Sequence, residues 1–184
     1  MTCSHRVITL IGYRACGKSS VAPLIAASLG WAFQDSDVLI ERKAGCSIRQ
    51  IFATQGEAEF RRQESEVLKE LLKEGRMVVS AGGGAILSEA NRELMRAAGP
   101  VVWIKVSPGV LAQRIQGDSQ TADRRPSLTG KSVTDEVAEV LAAREPLYRS
   151  ASTLIVDAET LTVQEVAQKI LAHLSRTPAG EHRA

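Results

Sequence analysis

Between a run of β-branched and apolar residues at 6–11 and a stretch of helical periodicity at 18–29, the chain reads Gly12-Tyr13-Arg14-Ala15-Cys16-Gly17-Lys18-Ser19. This is G-x-x-x-x-G-K-[ST] without a gap, and it constrains the fold more than any other feature. Glycines let the backbone curl until successive N–H groups point at one anion. A helix starting near Gly17 offers the positive end of its dipole to the same anion. Lys18 is placed to reach the β- and γ-phosphates, and the Ser19 hydroxyl to ligate magnesium. The bland alternative is a glycine turn with an incidental lysine, and a strand before and a helix after the motif count against it. The pattern calls for a strand–loop–helix unit that binds a nucleoside triphosphate.

The rest of the chain agrees. Apolar, β-rich segments at 32–34, 77–80, 101–106 and 153–156 alternate with helical patterns at 36–43, 57–73, 88–98, 111–116, 133–147 and 162–174. Such alternation implies a parallel sheet with helices on both faces. Ser47-x-x-Gln50 and Thr162-x-x-Glu165 match capping boxes. Pro23 should bend or loosen the first helix. The 184 residues suit one domain over 1–175. Residues 117–132 are polar and read as a mobile loop, and 176–184 as a frayed tail.

Composition removes several function classes. Lys plus Arg total 23 against 21 Asp plus Glu, and aromatic residues make up 4%, so neither a basic stripe nor a stacking platform for nucleic acid is available. Three cysteines without C-x-x-C spacing suit reduced thiols better than disulfides or zinc. No apolar run approaches the ~20 residues of a membrane span, and the opening segment lacks a secretory h-region. A cytoplasmic protein that binds neither membrane nor nucleic acid is expected, working as a monomer.

There is no N-K-x-D guanine reader and no L-S-G-G-Q stretch. The strand at 77–80 ends in Ser80 and not in an acid, so acidic help for magnesium is sought in Asp35-Ser36-Asp37, at the carboxyl edge of the sheet. In an extended stretch Asp35 and Asp37 point to one side. One of them could hold a metal-bound water and the other accept a proton from an attacking hydroxyl. A turn or helix cap is the competing reading of the pair. Gly82-Gly83-Gly84 would allow a ligand close to backbone N–H groups, or serve as a hinge. Arg61, Arg125 and Arg144 have the side chain best suited to bidentate capture of a carboxylate or phosphate.

The ordered set Gly12 to Ser19, Asp35-x-Asp37, Phe60-Arg61-x-x-Glu64, Gly82-Gly83-Gly84, Arg125-Pro126 and Arg144-Glu145-Pro146-Leu147-Tyr148-Arg149 resembles the shikimate kinase family, its type II bacterial form in particular. The resemblance implies a P-loop NTPase-type α/β three-layer sandwich, with a parallel sheet of about five strands, substrate-binding helices at about 37–74 and a lid at about 117–132. It implies ATP and shikimate as substrates, with Mg2+ as the cofactor. The ATP contacts it implies are Gly12, Ala15, Cys16, Gly17, Lys18, Ser19 and Ser20, with Arg125 arriving from the lid. The metal would be held by Ser19, and by Asp35 through water. Shikimate would meet Asp37, Arg61, Gly82, Gly83, Gly84 and Arg144, with Asp37, Lys18 and Arg125 catalytic. Ala15 replaces a glycine common in the family, which suits a backbone that is not left-handed there. The sequence after Asp157 offers no arginine to stack on adenine. A gluconate kinase of the same architecture is the nearest rival, and a non-catalytic ATP-binding regulator is a further one.

Overall fold

The computed structural model describes residues 7–117 and 132–176. Arg124, Arg125, nearly all of the expected lid and the chain beyond Arg176 lie outside the described residues. Strands β1 (Val7–Ile11), β2 (Ala32–Asp35), β3 (Met77–Ser80), β4 (Val101–Lys105) and β5 (Leu154–Asp157) form one parallel sheet in the order β2-β3-β1-β4-β5. Every residue of the central strand β1 is buried, which is why its sequence is a continuous apolar run and does not alternate.

Among the described residues the helices are α1 (Lys18–Leu29), α2 (Ser36–Ala44), α3 (Ile48–Leu71), α4 (Glu89–Ala98), α5 (Pro108–Gly117), α6 (Val133–Ala151) and α7 (Val163–Arg176), with a 3-10 turn at Ala85–Leu87. From β1 the chain steps outward one way through β2, and from β3 it returns across β1 to β4. Right-handed crossovers therefore put helices on opposite faces of the sheet. In keeping with this, α1 packs against α7, while α6 packs against α4 and α5. Between the layers lie Ile8, Leu10, Val78, Val102 and Ile104, all buried, and Trp103 stacks on Tyr148 with ring centroids 5.5 Å apart.

Local start signals behave as the sequence suggests. Ser47 and Gln50 form a reciprocal capping box at the head of α3. The Thr162 N–H donates to Glu165 Oε2 at 2.8 Å, and the Glu165 N–H returns a bond to Thr162 Oγ1 at 3.2 Å. Gly56, at φ 83° and ψ 171°, breaks α3 into two segments, the second beginning at Glu57 as its helical pattern does. Two prolines are absorbed without ending their helices: Pro23 in α1 and Pro146 in α6, both exposed. Helix α6 accordingly runs to Ala151, beyond the expected end at 147. No helix among the described residues is long and apolar enough to cross a membrane.

The register positions the site. Leu10 and Asp35 both pair with Ser80, so β1, β2 and β3 end at one level. The phosphate loop, the Asp35–Asp37 segment and the glycine triplet all leave from that edge.

Candidate active site

The phosphate loop turns on residues that tolerate unusual backbone. Gly12 has φ 146°, and a Cβ there would fall 2.7 Å from the Ile104 carbonyl oxygen and from Cys16 Sγ. Gly17 caps α1 in a left-handed conformation. Ala15 is left-handed as well, at φ 62°, which corrects the expectation attached to its substitution for glycine. An L-residue pays roughly 1–2 kcal/mol there. The strained turn is tied to α5, because Arg114 Nη1 donates to the Ala15 carbonyl at 3.3 Å. Lys18 is buried, and its ammonium donates to the carbonyls of Gly12 at 2.8 Å and Tyr13 at 3.0 Å, with Cys16 Sγ 3.7 Å away. Ser20 is exposed on the first turn of α1.

Beside the loop, Ser19 Oγ donates to Asp35 Oδ2 at 2.6 Å, and the Ser80 hydroxyl lies 3.4 Å from it. Asp35 and Asp37 are not two residues of one extended stretch. The strand stops at Asp35, whose Oδ1 caps α2 by accepting the N–H groups of Asp37 at 3.0 Å and Val38 at 3.4 Å. Asp37 therefore enters from the first helical turn. Asp35 thus caps the helix with one oxygen and turns the other to Ser19. Both carboxylates line a cleft of about 330 Å³ with Arg14, Ala15, Lys18, Ser19, Ser80 and Gly83.

The triple glycine forms a wall held by side-chain hydrogen bonds. The Gly82 N–H donates to Ser36 Oγ at 2.9 Å, while the Gly83 carbonyl accepts from Tyr148 Oη at 2.8 Å and Arg144 Nη1 at 3.3 Å. Burial holds the Tyr148 phenol well above its usual pKa, so it stays a donor. A Cβ on Gly82 would lie 2.5 Å from Asp37 Oδ1 and 2.9 Å from Glu64 Oε1, and one on Gly84 would lie 2.2 Å from Arg61 Nη1. These glycines make room for charged groups packed directly on the backbone.

Arg61 donates through Nη1 to buried Glu64 at 2.7 Å, and through Nη2 and Nε to exposed Glu57 at 3.2 and 3.3 Å. Its guanidinium also lies over the Phe60 ring, 5.1 Å from the centroid. Burial works against its charge, but Glu64 and then Glu57 more than offset this and raise its pKa above the ordinary arginine value. Arg61 and Arg144 thus border the glycine wall at two points, Gly84 and Gly83, and neither lines the cleft itself.

The family model for shikimate kinase matches residues 14–175. This chain belongs to the shikimate kinase family. A shikimate kinase from Rhodopirellula baltica is 45% identical over 162 residues, covering 88% of this chain and 87% of that protein. The structure of shikimate kinase from Acinetobacter baumannii in complex with shikimate superposes with a TM-score of 0.87 at 34% identity, covering 94% of each chain. A gluconokinase from Sinorhizobium meliloti shares the fold at a TM-score of 0.58 and 21% identity, covering 93% of this chain and 92% of that one. That second likeness is one of fold alone. As a member of the shikimate kinase family the protein is an ATP-dependent phosphotransferase.

Several residues that build the cleft and the glycine wall have little or no signal in the sequence. Ser36 and Ser80 are small polar residues whose importance comes from strand register. Glu57 stands four residues before Arg61, a spacing equally common on solvated helix faces. Glu64 and Tyr148 belong to motifs quoted above, yet their tasks became readable only once the glycine wall was in place.

Proposed function

We propose that the protein transfers the γ-phosphoryl group of ATP to the 3-hydroxyl of shikimate, giving ADP and shikimate 3-phosphate, a step toward chorismate and the aromatic amino acids. The observation that carries the reading is the glycine wall: Asp37 packed on Gly82, Arg144 bonded to Gly83 and Arg61 packed on Gly84, beside the phosphate loop. Such a wall offers two cations for one carboxylate and a carboxylate for the hydroxyls, which is the charge pattern of a small carboxylated polyol. The related Acinetobacter enzyme, solved with shikimate, supports the same substrate.

In the proposed mechanism the loop N–H groups and Lys18 hold the β- and γ-phosphates, and the ammonium exchanges its carbonyl partners for phosphate oxygens. The Ser19 hydroxyl and, through a water, the Asp35 carboxylate would hold magnesium, an ion that takes few protein oxygens and keeps waters and substrate phosphates as its other ligands. Bound there, Mg2+ would neutralise charge on the phosphates. Arg61 and Arg144 bind the substrate carboxylate. Asp37 orients the attacking hydroxyl and receives its proton as the new P–O bond forms and the bond to ADP breaks. Arg125 is assigned to the developing charge on the transferred group.

A coupled ADP-release assay with shikimate, gluconate and nucleoside monophosphates tests the proposal. Magnesium-dependent release that requires shikimate is expected. Release at the same rate without any acceptor, or with gluconate preferred, would refute it.

A further inference from the structure

We infer that Glu57 is a built-in competitor for the substrate carboxylate at Arg61, an inference that rests on the assignment of Arg61 under the proposed function. A guanidinium presents its Nε and Nη2 donors as a planar fork, the edge that best matches a carboxylate. In this protein the fork is taken: Oε1 of Glu57 accepts from Nε at 3.3 Å and from Nη2 at 3.2 Å. Glu64 takes Nη1 at 2.7 Å. The two acids are tethered differently. The Glu64 side chain is 2% exposed and fixed, whereas that of Glu57 is 65% exposed.

An exposed pair four residues apart on a helix is weak, so an arriving carboxylate can replace Glu57 where it could not replace Glu64. Glu57 then keeps the guanidinium extended while no substrate is bound, and swings into water when one arrives. Its cost is affinity. Glu57 occupies the fork that a substrate carboxylate needs, so it opposes an anionic substrate before it yields. An acceptor without a carboxylate gains nothing by displacing it and leaves Arg61 closed. Glu57 begins the second segment of α3, directly after the Gly56 break, where any acid is favoured by the helix dipole. That preference explains an acid at this position but predicts no effect on carboxylate binding.

Calorimetric titration separates the two roles, using Glu57→Gln and Glu57→Ala, with Glu59→Gln as a control because Glu59 pairs with Arg62. The titrants are shikimate and its neutral carboxamide. Both Glu57 variants are expected to bind shikimate about two- to fivefold more tightly than wild type, the worth of an exposed pair. They should bind the carboxamide with wild-type affinity, and in steady-state assays KM should fall while kcat changes less. Unchanged or weaker shikimate binding in both Glu57 variants overturns the inference, as does an equal gain for the carboxamide or in Glu59→Gln. Wild-type protein that does not bind shikimate overturns the parent reading and this one with it. Wild-type binding without a gain in the variants overturns this one alone.

Discussion

Gly84 has φ −102° and ψ −6°, a conformation that alanine also adopts, so Gly84→Ala carries no backbone penalty of its own. What alanine lacks there is space: its Cβ would stand 2.2 Å from Arg61 Nη1 and 2.8 Å from the guanidinium carbon. The obstacle is the far end of a flexible side chain, so Arg61 moves and the wall stays. Moving it weakens the 2.7 Å bond to buried Glu64, at a cost of about 1–3 kcal/mol. In a protein of this size that lowers Tm by roughly 2–4 °C per kcal/mol. Losing the Arg61 bond to a substrate carboxylate removes about 1.5–3 kcal/mol of binding, or ~10- to 150-fold in affinity at about 1.4 kcal/mol per decade. Thermal melts and shikimate titrations should therefore show a modestly destabilised, folded protein with a large loss confined to shikimate. The KM for ATP should hold, because Gly84 lies outside the cleft by the phosphate loop. Shikimate affinity within twofold of wild type would refute the packing argument.

Asp37→Asn should keep nucleotide binding while lowering kcat by ~10²–10⁴-fold, and a near-normal kcat would remove Asp37 from the chemistry. Asp35→Asn should raise the magnesium concentration needed for half-maximal rate more than it changes shikimate KM, as a metal titration of the coupled assay would report. Ala15→Gly should stabilise the protein, since relief of roughly 1–2 kcal/mol of left-handed strain outweighs a denatured-state cost of about 0.4–1 kcal/mol; urea unfolding would detect the shift in midpoint. Tyr148→Phe deletes the 2.8 Å bond to the Gly83 carbonyl and should cost about 0.5–1.5 kcal/mol, with a rise in shikimate KM if the wall loosens.

The sequence carried the phosphate loop, the alternation of strands and helices, and both capping boxes, because each depends on residue types at fixed local spacing. It misplaced Asp37 because Asp-x-Asp suits both an extended strand and a cap followed by a first turn, and Gln34-Asp35 gives no hydrophobic contrast to mark where β2 stops. The left-handed backbone at Ala15 was unreadable for a related reason: alanine ordinarily avoids that region, and what holds it there includes a bond from Arg114, 99 positions away in the chain. Ser80 likewise reaches Ser19 across 61 positions through strand register alone. Arg61 could be picked out as an arginine suited to an anion, but its division between one buried and one exposed acid needed the fold.

The stack of Trp103 on Tyr148 gives the enzyme a native optical gauge. Trp103 is almost fully buried at 1% exposure, so its emission belongs to the dry interior, and the ring it faces carries the hydroxyl that grips Gly83. A shift of Gly83 that carries the phenol with it alters the overlap of the two rings and with it the quantum yield of the indole. Trp31, half-buried before β2, is the other tryptophan. Replacing it with phenylalanine leaves a single emitter, and stopped-flow fluorescence can then time the wall's response to a ligand without an added dye.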